Sequence, residues 1–253
     1  MRKIQVIGIG TGNPAHVTQE AIEALNWVDV FFIPHKGAQK EALAHLREAI
    51  CKRFIRHDNY RFVDVEIPPR EAQPADYRAT VADWHAQIER NYTEAFRTEL
   101  GETECGALLV WGDPAFYDST LRILDSIHAR GTLAISHEVI AGISSVQMLA
   151  ARHRIPLNRI GAPVLITTGR RLMQGFPAEA DSVVVMLDGE QAFSHIAPEG
   201  LEIFWGAYLG MDEEMLMCGP LAEVSAQILS MREEARRRHG WIMDIYLLRR
   251  IGR

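Results

Sequence analysis

The chain has 253 residues, a formal net charge of -6 and a hydrophobic fraction of 47%, values that are typical of a globular protein. The acidic balance argues against a protein that binds nucleic acid broadly, because such proteins present a basic surface to the phosphates. No apolar run reaches the ~18 residues that cross a bilayer, and the first residues lack the apolar segment of a signal peptide.

The first half of the sequence alternates apolar β-branched runs with amphipathic segments, a pattern that predicts strands and helices in turn. The predicted strands are Lys3–Ile9, Val28–Ile33, Phe62–Ile67, Ala107–Trp111 and Leu133–Ser136. The first predicted helix has Asn13 as its cap and Pro14 in its first turn. The other predicted helices are Gln39–Arg53, Val81–Leu100 and Ser119–Arg130. Tyr92 lies on the apolar stripe of the third helix and is expected to pack in the core. This alternation predicts a mainly parallel sheet with helices on both faces over residues 1–140.

The second half breaks this rhythm near residue 140, where we place a domain boundary. Its predicted strands are Pro163–Thr167, Ser182–Leu187, Leu201–Gly206 and Trp241–Leu248, and its predicted helices are Ser144–Arg154 and Leu221–Arg238. Residues 141–253 are therefore expected to form a second α/β domain.

The cysteines give no sign of a disulfide framework or a metal site. Cys51, Cys105 and Cys218 are far apart in the sequence and lack Cys/His ligand spacing. Free thiols are typical of a reducing cytoplasm, so we expect a cytoplasmic protein without a bound metal.

Gly8, Gly10 and Gly12 follow the first predicted strand and suggest a dinucleotide-binding loop at first inspection. The spacing departs from G-x-G-x-x-G, because Asn13 stands where the third glycine is required. The second strand also ends without the acidic residue that binds a ribose. Taken alone, the cluster indicates a tight strand-to-helix turn.

Two further glycine turns follow predicted strands. The turn Trp111–Pro114 ends a buried strand, and open α/β sheets bind ligands at the carboxyl ends of their strands. Gly112 lets the backbone approach a ligand, and the Asp113 carboxylate can accept hydrogen bonds from a hydroxyl or ammonium group. The third turn, Ala141–Ser145, is also consistent with a serine-capped helix start.

In their order and separation along the chain, these turns resemble the loops of one family, the tetrapyrrole methyltransferases of cobalamin and sirohaem biosynthesis. The matching stretches all lie at predicted strand ends. They are Gly8–Pro14 with Thr18, Gly112–Tyr117, Ala141–Ser145, Met186–Gly189, and Gly206–Gly210 with Glu213 and Glu214. The resemblance spans nearly the whole chain.

The resemblance implies a tetrapyrrole methylase fold with a C-terminal mixed sheet, and S-adenosylmethionine bound in the cleft between the two domains. It also implies a homodimer that acts on a small tetrapyrrole, without a nucleic-acid or membrane partner. The cofactor-binding residues implied by it are Gly10, Pro14, Gly112, Asp113, Phe116, Ser144, Ser145, Leu187, Gly206 and Ala207.

Within the family, four stretches are most similar to the members that methylate carbon 1 of precorrin-5 and release its acetyl group as acetate. They are Asp29–Ile33 with Lys36 and Gly37, Trp111–Thr120, Leu149–Asn158 and Thr167–Arg171. Acetyl loss requires a nucleophile at a carbonyl and a general base. His35, Asp118 and Asp188 are candidates for the group that assists this step. For each of them, a purely structural role is the alternative.

The implied substrate carries many carboxylates, so cations are expected around its site. Arg170 and Arg171 are the first candidates, because arginine binds carboxylates in a bidentate manner. Lys36 and His35 follow, and for all four the alternative is solvated surface charge. A methyltransferase of the same fold with another precorrin position, a ribosomal RNA or a protein as its target is the alternative function.

Overall fold

The computed structural model describes residues 1–35, 41–69 and 77–252. The chain forms two compact units, Met1–Ser144 and Ser145–Arg253, and each unit contains one five-stranded sheet. Gln39, where the second helix was predicted to begin, lies outside the described residues.

The sheet of the first unit is entirely parallel. Its strands are β1 (Arg2–Gly8), β2 (Val30–His35), β3 (Arg61–Glu66), β4 (Cys105–Val110) and β5 (Ile135–Ile140), in the order β3-β2-β4-β1-β5. The helices between them are α1 (Gln19–Leu25), α2 (Glu41–Phe54), α3 (Tyr77–Glu99) and α4 (Thr120–Arg130). The predicted parallel architecture of this half is confirmed.

Both faces of this sheet are covered, as the unbroken apolar run of β2 predicts. Successive strand residues point to opposite faces. Phe32 packs edge-on against Phe96 of α3, with ring centroids 4.8 Å apart, while Phe31 belongs to a separate apolar cluster with Ile50 of α2. One strand therefore supplies two cores.

Two local predictions for the first unit are wrong. Asn13 and Pro14 begin a short 3-10 turn, Pro14–His16, instead of α1, whose N-terminus is capped by Thr18. The last strand was predicted at Leu133–Ser136, but β5 continues to Ile140. It lies at the edge of the sheet, where partly exposed positions tolerate polar side chains.

The sheet of the second unit is mixed, as expected. Its strands are β6 (Val164–Thr168), β7 (Ser182–Met186), β8 (Leu201–Ala207), β9 (Met215–Pro220) and β10 (Asp244–Arg250), in the order β6-β7-β10-β8-β9. Its helices are α5 (Ser145–His153), α6 (Gly169–Leu172) and α7 (Leu221–His239). Only β6 and β7 pair in parallel, while β10 runs antiparallel to both of its neighbours.

β9 and α6 were not predicted, and β10 begins later in the chain than the predicted strand Trp241–Leu248. β9 is a partly exposed edge strand that ends in Gly219 and Pro220, two residue types that interrupt strand patterns. Trp241 precedes β10, and its carbonyl accepts a hydrogen bond from the Tyr208 hydroxyl.

A buried ion pair joins α7 to β10. The Arg232 and Asp244 side chains are each 6% exposed, and Nε of Arg232 lies 2.7 Å from Oδ2 of Asp244. The same carboxylate oxygen accepts a hydrogen bond of 2.8 Å from the Trp205 indole. A second guanidinium nitrogen of Arg232 donates to the Asp188 carbonyl at 2.8 Å. The pair therefore connects a helix with three segments of the sheet.

Removing one partner of this pair is expected to destabilise the protein strongly. Asp244→Ala leaves the Arg232 cation buried without its counter-charge, which costs about 3–5 kcal/mol of unfolding free energy. Urea denaturation measures the change. The control is Glu234→Ala, which breaks the exposed pair with Arg237 on α7 and should cost less than about 1 kcal/mol. Equal losses in the two variants would contradict the prediction.

Candidate functional site

The glycine turns after β1 and β4 are joined through their backbones. The Gly112 amide donates to the Gly10 carbonyl at 2.7 Å, and the Gly10 amide donates to the Gly112 carbonyl at 3.2 Å. Both residues have positive φ angles, 75° and 69°, which favour glycine. Two segments that are about a hundred residues apart thus form one small paired element at the carboxyl edge of the sheet.

The turn after β5 packs against the same element without room for side chains. A Cβ on Gly142 would lie 2.1 Å from the Gly112 carbonyl oxygen, and one on Gly8 would lie 2.5 Å from the Gly142 amide nitrogen. Both separations are far below van der Waals contact. The three turns are therefore in direct backbone contact, and this contact explains the glycines at positions 8 and 142.

The Asp113 carboxylate binds the second turn to the third. Its Oδ2 accepts a hydrogen bond from the Gly142 amide, and its Oδ1 accepts one from the Ala115 amide, both at 2.8 Å. Asp113 was expected to accept hydrogen bonds from a ligand. In the structure, both of its carboxylate oxygens accept hydrogen bonds from backbone amides and hold the turns in place.

The other expected cofactor residues of the first unit lie in or beside these turns. Pro14 begins the 3-10 turn that follows Gly10. Phe116 is half-buried in the turn after Asp113, and Ser144 is buried two residues beyond Gly142. The structure therefore brings the expected residues of this unit to neighbouring strand ends.

In the second unit, the expected cofactor residues lie at the ends of β7 and β8 and at the start of α5. Leu187 follows β7 with a φ of 53° and is 66% exposed, a combination that is uncommon for leucine. Gly206 and Ala207 end β8, and Ser145 is the first residue of α5. A Cβ on Gly206 would lie 2.8 Å from the Leu209 side chain, so a larger residue there would have to displace the end of that side chain.

Three of the four residues expected to bind the substrate are exposed in the structure. Arg170 and Arg171 are exposed on α6. His35 is the exposed last residue of β2. Lys36 lies outside the described residues.

Of the three candidates for a general base, Asp188 is part of the core. Its Oδ2 accepts hydrogen bonds from the Tyr246 hydroxyl at 2.6 Å and from the Ala192 amide at 2.7 Å. Burial, and then the negative charge of Asp188, raise the pKa of Tyr246. A Cβ on Gly169 would lie 2.2 Å from Oδ1 of Asp188. Asp188 is therefore enclosed by protein groups.

Asp118 instead lines a cavity of about 70 Å³ near the carboxyl ends of β2 and β4. Arg47 of α2 and Tyr92 of α3 line the same cavity. Burial lowers the pKa of Arg47, and Tyr92 and Asp118 oppose that effect. Burial also raises the pKa of Tyr92.

The sequence alone gives no sign that Arg47 and Tyr92 lie near Asp118. Arg47 occupies an ordinary polar position of an amphipathic helix, and Tyr92 belongs to an apolar stripe. Their proximity to Asp118 depends on the packing of three helices on one sheet, so no short motif signals it.

Within the described ranges, no group of three or more His, Cys, Asp or Glu residues is placed to bind a metal ion. No helix in the same ranges has both the length and the apolar character needed to span a bilayer.

Comparison with known proteins gives consistent matches. The profile of the tetrapyrrole (corrin/porphyrin) methylases matches residues 3–225. A precorrin-6A synthase [deacetylating] of Sinorhizobium sp is 53% identical over 250 residues, which cover 99% of this chain and 96% of that protein.

Solved structures show the same similarity. A putative cobalamin synthesis related protein (CobF) from Corynebacterium diphtheriae is 37% identical, with a TM-score of 0.85 and complete coverage of both chains. A uroporphyrin-III C-methyl transferase from Thermus thermophilus, complexed with S-adenyl homocysteine, has a TM-score of 0.60 at 16% identity and covers 97% of this chain and 96% of that one. The second match shows similarity of fold.

The backbone contact between the turns predicts the effect of adding one methyl group. Gly142→Ala places a Cβ against the Gly112 carbonyl, and this overpacking is expected to cost about 1–3 kcal/mol of unfolding free energy. Gly189→Ala is the control, because a Cβ there meets nothing within 4 Å. Thermal and urea denaturation of both variants provide the comparison. An unchanged stability of Gly142→Ala would contradict the described packing.

Proposed function

The chain belongs to the tetrapyrrole methylase family and is a methyltransferase, and from this premise we propose its reaction. It transfers a methyl group from S-adenosylmethionine to carbon 1 of precorrin-5, and the acetyl group of the substrate leaves as acetate. The observation that carries the proposal is the high identity, along almost the whole chain, to a deacetylating precorrin-6A synthase. Transfer to another precorrin position, to RNA or to protein has no comparable support.

The residues at the strand ends fit S-adenosylmethionine chemically. The cofactor has an adenine ring with apolar faces, ribose hydroxyls and a zwitterionic methionine end. The exposed side chain of Leu187 offers an apolar surface to a ring, and serine hydroxyls and backbone groups at the glycine turns offer polar partners. We assign cofactor binding to Gly10, Pro14, Gly112, Asp113, Phe116, Ser144, Ser145, Leu187, Gly206 and Ala207.

The protein's part in methyl transfer is mainly to position the reactants. When bound, the cofactor supplies an activated methyl group on a sulfonium. The pairing of Gly10 with Gly112 and the bond from Asp113 to Gly142 hold the turns in place within the folded chain. Preorganised loops lower the entropy that binding must otherwise remove.

Substrate binding is assigned to residues with basic side chains. Arg170 and Arg171 bind substrate carboxylates, with Lys36 and His35 as further contacts. The exposure of the two arginines supports their part of this assignment, because exposed guanidinium groups are accessible to a multiply charged anion. The proposal includes a homodimer, as the family resemblance implies, and a cytoplasmic location, which the free thiols favour.

The reaction is tested with precorrin-5 and methyl-labelled S-adenosylmethionine. We expect one labelled methyl group in the tetrapyrrole and one acetate for each turnover, detected by mass spectrometry and NMR. Methylation without acetate would exclude the deacetylating reaction and leave another methyl transfer. Absence of both products would contradict the proposed function.

The cofactor site is tested by Asp113→Ala. The variant loses the acceptor that holds the Gly142 amide, so the affinity for S-adenosylmethionine is expected to fall by about 1–3 kcal/mol in calorimetric titration. Asp58→Ala, at an exposed position in the same unit, is the control and should bind as the wild type does. Unchanged affinity in Asp113→Ala would remove this residue from the site.

A further inference from the structure

We infer that the cavity lined by Arg47, Tyr92 and Asp118, here called the acetyl pocket, receives the acetyl group of the substrate. Within it, Asp118 is the general base that activates the attacking water. The inference rests on the proposed function, because it requires a substrate that carries an acetyl group.

The size and place of the acetyl pocket suit this role. Its volume is about 70 Å³, whereas the space that holds one water is ~10–15 Å³. An acetyl group and one water have four heavy atoms in total and fit this volume. The pocket lies near the carboxyl end of β4, whose chain continues directly into Gly112 and Asp113. Ligands bind at this edge in parallel sheets.

Asp118 is held so that one carboxylate oxygen remains available. Its Oδ1 accepts a hydrogen bond of 2.7 Å from the Thr120 amide at the start of α4, which fixes the side chain. Its Oδ2 makes no hydrogen bond within the part of the chain that the structure describes. An oriented carboxylate with an available oxygen beside a cavity is the arrangement that a general base requires.

Arg47 and Tyr92 supply the groups that stabilise charge on the carbonyl oxygen. Nε of Arg47 donates to the Leu109 carbonyl at 3.0 Å, so the guanidinium is anchored to β4. Tyr92 is 7% exposed and contributes a hydroxyl to the lining residues of the pocket. A fixed cation and a fixed hydroxyl stabilise a developing oxyanion more effectively than water does.

The step is balanced. The water oxygen forms a bond to the acetyl carbonyl carbon, and one water proton moves to Oδ2 of Asp118. The tetrahedral adduct then loses the bond between the acetyl carbon and carbon 1 of the tetrapyrrole. Carbon 1 keeps the electron pair and becomes the nucleophile for methylation. The acetyl group leaves as acetic acid, which ionises to acetate.

The other two candidates do not meet these requirements. Asp188 has Oδ2 bound to two protein donors and Oδ1 buried against Gly169. His35 is exposed at the end of β2 and is not among the residues that line the acetyl pocket.

The test compares Asp118→Asn with Asp125→Asn in the full-length protein. The asparagine at position 118 keeps an oxygen that can accept from the Thr120 amide, so the fold is preserved while the base is removed. Asp125 is an exposed residue of α4 and serves as the control. The measurements are acetate release from precorrin-5 labelled in its acetyl group, and calorimetric affinity for S-adenosylmethionine.

We expect acetate release by Asp118→Asn to fall at least about 100-fold, with cofactor affinity unchanged and Asp125→Asn equal to the wild type. Acetate release at the wild-type rate in Asp118→Asn would overturn the inference while the proposed function stands. A wild type that forms neither acetate nor methylated product would instead refute the proposed function, and the inference with it.

A second measurement does not depend on turnover or on the folding of the first variant. Acetate labelled with carbon-13 should bind the free protein at the acetyl pocket, as measured by NMR line broadening. Tyr92→Phe keeps the ring and removes the hydroxyl, so acetate affinity should fall about tenfold or more. Equal binding of acetate by the wild type and Tyr92→Phe would place the acetyl group elsewhere and overturn the inference.

Discussion

The backbone contact between three turns at one edge of a parallel sheet is the constraint on which the rest of the first unit depends. Gly112 pairs with Gly10, and Gly142 approaches both Gly112 and Gly8 so closely that no side chain fits between them. Because the turns are in contact, the Asp113 carboxylate can reach the Gly142 amide. The same contact fixes where Ser144 lies relative to the sheet. The glycines thus give the site its geometry before any ligand is considered.

The architecture could be predicted because the strongest sequence signals come from burial. The run Phe31–Ile33 has no polar alternation, and the structure buries it from both sides of the sheet. The signals failed at sheet edges, where burial is partial. His137 and Glu138 extend β5 although they are polar. β9 was not predicted because it ends in Gly219 and Pro220, two residue types that are uncommon in strands. Edge strands are defined by pairing with a neighbour, which a single-sequence pattern does not report.

Part of the candidate site could also be predicted from the sequence. The glycine turns were visible because glycine is unusual at the end of an apolar strand, yet the reason for Gly8 and Gly142 is contact between turns that sheet order brings together. The acetyl pocket could not be predicted from the sequence, because Arg47 and Tyr92 lie on two different helices and Asp118 lies in a loop. A resemblance between sequences identifies loops that share a pattern, whereas a cavity is defined by side chains that share only a location.

A comparison of Arg232 with Arg47 shows how a neighbouring cavity changes the role that a charged side chain can take. Arg232 lies between a helix and a sheet, and its guanidinium donates to the Asp244 carboxylate and the Asp188 carbonyl within a packed interface. This arrangement is that of a structural ion pair. Arg47 is also anchored to a carbonyl, but it borders open space together with a hydroxyl and a carboxylate. The charge of Asp244 and the hydrogen bonds around it offset the desolvation cost of burying Arg232. Arg47 lines a cavity in addition to its contact with the Leu109 carbonyl, so its guanidinium can also reach a ligand there. This location favours a role in binding.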